Sequence, residues 1–170
     1  MSKKYKILLS AYACEPNRGS EPGVGWNWAL KLVKAQHEVW VITRSNNKTV
    51  IDNYFWANKK EDKLHFIYYD LPRWLLLLKK YGLSVNLYYL FGIVSSAKKQ
   101  HSLINFDLIH HITFGVFRHP SFLNKLNVPL VFGPIGGGEY TPKILRDVFP
   151  LKNRILEVIR GGINKISKYN

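Results

Sequence analysis

The sequence predicts an α/β domain of three layers built on a mostly parallel sheet, and three observations carry that prediction. Five short apolar, β-branched or aromatic runs are each bounded by charged or turn residues, stretches of helical periodicity fill the gaps between them, and no internal repeat interrupts the alternation. Strand followed by helix followed by strand buries both faces of a sheet only through right-handed crossovers, which makes neighbouring strands parallel. The 170-residue length suits a single compact domain with a substantial core.

In order, the first strand is predicted at Tyr5 to Ser10. A helix follows over Val24 to Ala35, where Val24, Trp28 and Leu32 recur at i, i+4 and i+8 beside Ala29 and Val33. The second strand runs over Glu38 to Thr43, a helix over Asn47 to Ala57, and the third strand over Lys63 to Tyr69. A longer helix is predicted around Val85 to Leu103, then the fourth strand over Asp107 to Thr113, a short helix near Pro120 to Leu126 and the fifth strand over Val128 to Gly133. Helices at Pro142 to Phe149 and over Leu151 to Asn170 complete the chain, the latter amphipathic, with five Lys/Arg against one Glu. Residues 1–150 therefore read as the domain and 151–170 as a basic terminal helix.

Charge narrows the partners. Lys and Arg number 25 against 11 Asp and Glu, a net +14 on a chain that is 46% hydrophobic and 14% aromatic. That composition excludes a disordered basic tail, so the charge sits on a folded body. Nucleic acid, an anionic membrane and a phosphorylated substrate are the anionic partners to weigh. Between Asp70 and Asp107 there are five Lys/Arg and no acid, and the stretch holds Arg73, Trp74, Lys79 and Lys80 around a run of leucines. Membrane contact and an ordinary core helix with a basic edge fit this stretch equally; a leucine run stacks poorly on bases, which ranks nucleic acid last. Its longest weakly polar portion, Leu83 to Ala97, falls short of the roughly 20 residues that span a bilayer. The lone Cys14 excludes an internal disulfide and a multi-cysteine zinc site, consistent with a cytoplasmic protein.

In open α/β sheets ligands bind beyond the carboxyl ends of the strands, so chemistry is sought in the loops there. After the first strand, Ala13 to Gly25 carries Gly19, Gly23 and Gly25, read either as a phosphate cradle at a helix N-terminus or as a glycine-turned surface loop. The spacing is not G-x-G-x-x-G, and the second strand ends in Thr43-Arg44-Ser45 without a ribose-holding acid, which disfavours a nicotinamide cofactor. After the fourth strand stand His110 and His111, whose side chains alternate between faces; one is a candidate for proton chemistry while the other serves structure. Arg118 follows. After the fifth strand, Gly136, Gly137 and Gly138 precede Glu139, a run that reads as close approach of backbone to ligand or as a tight turn.

The segments Lys6 to Pro16, Gly19 to Trp26, His37 to Arg44, Asp107 to Gly115 and Phe132 to Gly138 resemble, in the same order, the N-terminal half of family 4 retaining glycosyltransferases with the GT-B fold. The resemblance covers Lys6 to about Pro150. It implies a Rossmann-like domain that holds the acceptor, facing a second domain that holds the nucleotide sugar and is missing here, either because the chain is a piece of a longer enzyme or because a partner supplies it. The E-x7-E motif of that second domain does not occur in this chain. By the resemblance, His111, or else His110, lies near the reacting sugar; Gly23 and Gly25 meet the donor phosphates; and Glu15, Arg18, Glu21, Arg118, Gly136, Gly137, Gly138 and Glu139 are acceptor-side residues. It implies no cofactor or metal beyond the nucleotide-sugar substrate. Its expected partners are a glycan or lipid-linked acceptor and an anionic membrane met through Arg73, Trp74, Lys79 and Lys80 at the inner cytoplasmic face, with no nucleic acid. Polysaccharide synthesis is the implied process, the isolated chain being inactive; a non-enzymatic membrane-docking subunit is the alternative.

Overall fold

The computed structural model describes residues 3–59, 61–72, 92–118 and 121–167. The chain forms two compact units, Met1–Phe114 with Ser121–Gly133, and Gly115–Pro120 with Pro134–Asn170.

The first unit is an α/β Rossmann-like layer structure. Strands β1 (Lys6–Ser10), β2 (Glu38–Thr43), β3 (Leu64–Tyr68), β4 (Leu108–His111) and β5 (Leu130–Phe132) make one sheet in the order β3-β2-β1-β4-β5. Every pairing is parallel, with Ile7 opposite both Val39 and Leu108, Val39 opposite Leu64, and Ile109 opposite Leu130. Alternation sorts the strands into two cores. Leu8, Ile42 and Ile109 face one side with Ala97 and Leu123; Leu9, Val39 and Val41 face the other with Ala29 and Ile51. Ile7, Leu8 and Leu9 are all but inaccessible, as a strand covered on both faces requires, and each such side chain contributes about 2 kcal/mol.

Helix α1 (Ser20–Lys34) begins earlier than periodicity implies, and its buried stripe is Trp26, Ala29 and Val33, not the Val24–Trp28–Leu32 row. The reason is aromatic: Trp26 meets Tyr54, Phe55 and Phe66 at centroid distances of 4.9, 5.7 and 6.1 Å, which rolls Val24 and Trp28 outward. Helix α2 (Lys48–Ala57) anchors through Ile51, and α3 (Ile93–Ile104) through Ile93 and Ala97, ending at a left-handed Asn105 whose N–H returns to the His101 carbonyl. The predicted helix start at Val85, like Arg73, Trp74, Lys79 and Lys80, lies outside the described residues. The short helix expected at Pro120 to Leu126 is a 3-10 turn over Phe122–Leu126, closed by Asn127 at φ 56°. Strand β4 stops at His111, two residues early, because Thr113 turns its hydroxyl onto the Ala13 N–H and Phe114 adopts φ 56°.

In the second unit, Val116 bridges Gly136 in parallel, followed by α4 (Lys143–Arg146), shorter than expected, and α5 (Leu151–Ser167).

Candidate functional site

In the order β3-β2-β1-β4-β5 the chain direction of the crossovers reverses between β1 and β4, which opens a crevice beyond their carboxyl ends. The loops after these two strands are stitched together there. The Ala13 N–H donates to Thr113 Oγ1 (3.3 Å), and the Phe114 N–H donates to Glu21 Oε1 (3.1 Å), fastening the first turn of α1 to the β4 loop. Glu15 folds back through its N–H to the Pro22 carbonyl (3.0 Å), and its carboxylate meets Arg18 Nε at 3.3 Å. Glu15, Arg18 and Glu21 thus all stand on the α1 entry of this crevice.

Because α1 begins at Ser20, ahead of the predicted start at Val24, Gly23 lies inside the helix rather than before it, and Gly25 is a second glycine within its first turns. The amides left unpaired by helical geometry are those of Gly19, Ser20 and Glu21; the Gly23 N–H already points at the Gly19 carbonyl. Gly25 is glycine because the helix closes on the loop after β1: a Cβ there would overlap the Ala13 carbonyl oxygen and sit 3.2 Å from the Ala11 Cβ. At Gly23 the obstacle is the Arg18 carbonyl. Alongside runs a groove of about 360 Å³ bordered by Arg18, Ser20, Asn27, Trp28 and Lys31. Trp28 is 39% exposed there, and among the described residues no acid borders the groove.

The two histidines point to opposite faces of β4. His111 is closed in: its Nε2–H donates to the Thr113 carbonyl (3.0 Å), which leaves Nδ1 to accept from the Ser121 hydroxyl (2.8 Å), and its ring packs 4.8 Å from that of Phe132. Burial pushes its pKa down to about 4, against the carbonyl's opposing pull and with a further small lowering from His110. His110 faces α1, edge-on to Trp28 at 5.6 Å, with Nε2–H donating to the Gly133 carbonyl (3.0 Å). Burial lowers its pKa too, so the ring is neutral at pH 7 and Nδ1 has no partner among the described residues. Of the pair, His110 is the one with an acceptor to offer a ligand.

Three further residues close the crevice at β2 and were not singled out from sequence. The Arg44 guanidinium lies 4.4 Å over the Tyr12 ring and donates to its hydroxyl (3.3 Å). Asn47 Nδ2 donates to the Tyr12 carbonyl (3.2 Å) and to Thr43 Oγ1 (2.8 Å), holding the turn after β1 in place. The available signal was a cation ending one strand and a tyrosine just beyond its neighbour.

Arg118 and Gly136 to Glu139 belong to the second unit. There the Gly136 N–H donates to the Gly115 carbonyl and the Phe117 N–H to the Gly136 carbonyl, both at 2.9 Å. Gly137 adopts φ +87°, Gly138 abuts the Phe117 ring, and the Glu139 carboxylate accepts the Gly137 N–H at 2.8 Å. Of the three glycines, Gly137 is accounted for by a positive-φ turn and Gly138 by its packing on the Phe117 ring.

Among the described residues no group of three or more His, Cys, Asp or Glu side chains is placed to hold a metal ion. No described helix is long and apolar enough to cross a membrane. No protein-family model and no curated protein matches the chain.

Proposed function

We propose that this chain is the acceptor-side domain of a retaining glycosyltransferase of the GT-B type, acting with a donor-binding domain at the cytoplasmic face of a membrane, where it elongates a surface or lipid-linked glycan. The observation that carries the reading is the crevice at the β1/β4 reversal, where His110 and the Glu15–Glu21 loop meet beside the Trp28 groove. An indole face with amide and cationic neighbours suits a sugar, whose C–H faces stack on aromatics while its hydroxyls take hydrogen bonds.

In this reading the neutral His110 accepts a hydrogen bond from a sugar hydroxyl near the reacting centre through Nδ1, and His111 holds the strand end and Ser121 in position. The free amides of Gly19, Ser20 and Glu21 face developing charge on the leaving diphosphate, a role for which the positive end of α1 is suited. Gly23 and Gly25 serve that role indirectly, by letting α1 sit close to the β1 loop. Retention is assigned from the resemblance, and the nucleotide sugar is substrate, with no cofactor or metal in the scheme.

Saturation-transfer NMR against a panel of oligosaccharides and prenyl-linked sugars tests this, run beside an assay for nucleotide-sugar turnover. Expected are glycan signals that weaken on His110→Ala and Trp28→Ala, and no turnover. Robust turnover by this chain alone, or no signal from any glycan, overturns the reading.

A further inference from the structure

Helix α5 is packed inside out. At about 100° per residue, Leu151, Ile155, Val158, Ile159, Ile163 and Ile166 fall on one arc of about 140°, and Glu157, Arg160 and Asn164 fall on the opposite side. A helix of a soluble core buries the first set. Here the apolar set is exposed, from 45% at Ile163 to 74% at Leu151, and Asn164 is fully buried. The polar side is also the one held within its unit: Glu157 Oε2 accepts from the Thr141 hydroxyl (2.7 Å) and from Arg160 (2.9 Å), and Arg160 reaches the Glu139 carbonyl (3.4 Å). Just before it, Ile144 and Val148, at the start and beyond the end of α4, are each 79% exposed.

The charges say what covers this face. Residues 143–167 hold six Lys/Arg and two acids, a difference of +4. Both acids are already neutralised, Glu157 by Arg160 and Asp147 by Arg154 at 3.9 Å. Lys152 lies inside the apolar arc, between Ile159 and Ile163. Against a dry protein surface its ammonium would be buried without a partner, and a second copy would set +4 against +4. At a lipid interface the lysine stem runs along the apolar face and its head rises to the phosphates.

We propose that α4 and α5 form an in-plane membrane-docking element that lays this apolar face into an anionic lipid surface. It names the docking element for the membrane association proposed above and rests on that association alone, independent of the sugar chemistry. It also moves the contact away from Arg73, Trp74, Lys79 and Lys80.

The test uses the whole chain with vesicles of phosphatidylcholine, with and without phosphatidylglycerol. A polarity-sensitive fluorophore is placed on Ile159→Cys, in the apolar arc, or on Asn153→Cys, on the polar side; Cys14 is buried and stays unlabelled. Expected is a several-fold, blue-shifted rise at position 159 with anionic vesicles and little change at 153. Flotation should fall about tenfold in Ile155→Asp/Ile159→Asp, whose positions are exposed and whose fold is checked by circular dichroism, and should persist in Arg73→Ser/Lys79→Ser/Lys80→Ser. The proposal is overturned by no binding to anionic vesicles, by equal responses at 153 and 159, by flotation that survives the double aspartate variant, or by a lipid-independent rise at 159 that grows with protein concentration. Glycan binding is read separately, so its failure leaves this result standing.

Discussion

Replacing Gly25 by alanine inverts the usual sign of a helical glycine substitution. In an exposed helix interior, Gly→Ala stabilises by about 1 kcal/mol, because alanine restricts the unfolded backbone and screens the helical amides. At Gly25 the new methyl meets the Ala13 carbonyl oxygen and the Ala11 Cβ, backbone and a buried neighbour with no flexible end to swing away. Overpacking of this kind costs about 1 to 3 kcal/mol, so the gain is cancelled and the net effect is a loss of up to about 2 kcal/mol. Gly162 provides the control, lying in α5 with nothing within 4 Å of its would-be Cβ. Urea unfolding of both variants, followed by far-UV circular dichroism, reads the difference. Gly162→Ala should raise the midpoint and Gly25→Ala should lower it with an unchanged m-value. A Gly25→Ala protein as stable as Gly162→Ala would refute the claim that α1 is seated on the β1 loop through its glycines.

Two further outcomes follow from buried titratable groups. His111 has a folded pKa of about 4 against about 6.5 unfolded, so the unfolded chain binds the extra proton; stability is full above pH 6.5 and falls by about 3 kcal/mol as pH drops toward 4. Unfolding midpoints across that range should slope steeply in the parent and less in His111→Gln. Cys14 is buried, and burial first, then Glu15, pushes its thiol up to about 12, so alkylation at pH 8 should be undetectable in the folded protein and rapid in urea.

Strand positions were legible because each β-run is short, apolar and fenced by charge, so Glu38–Thr43 is matched residue for residue and Lys6–Ser10 to within one. The turn of α1 about its own axis was not. Periodicity weights Trp28 and Trp26 alike, and only the aromatic neighbours supplied by α2 and β3 decide which is buried. The same limit applies to the histidines. Alternation separates His110 from His111, but which face has hydrogen-bond partners for both ring nitrogens depends on Ser121, ten residues on, and on a carbonyl that turns only after β4 has ended. Of the loop residues, Glu21 was named for its place, while its bond to the Phe114 amide joins positions 93 apart and leaves no local trace.

The placing of β1 between β2 and β4 has a consequence for how the protein is made. Its partner on one side arrives about thirty residues later in the chain, but the other arrives only with Asp107 and Leu108, where the Lys6 N–H finds a carboxylate 101 positions away. Until the ribosome has released that far segment, Ile7, Leu8 and Leu9 present an open, apolar strand edge. Such long-range parallel closure is slow and leaves the edge available to other nascent chains. Prompt pairing of β4 with β1, or a shield over β1 in the interval, shortens that exposure.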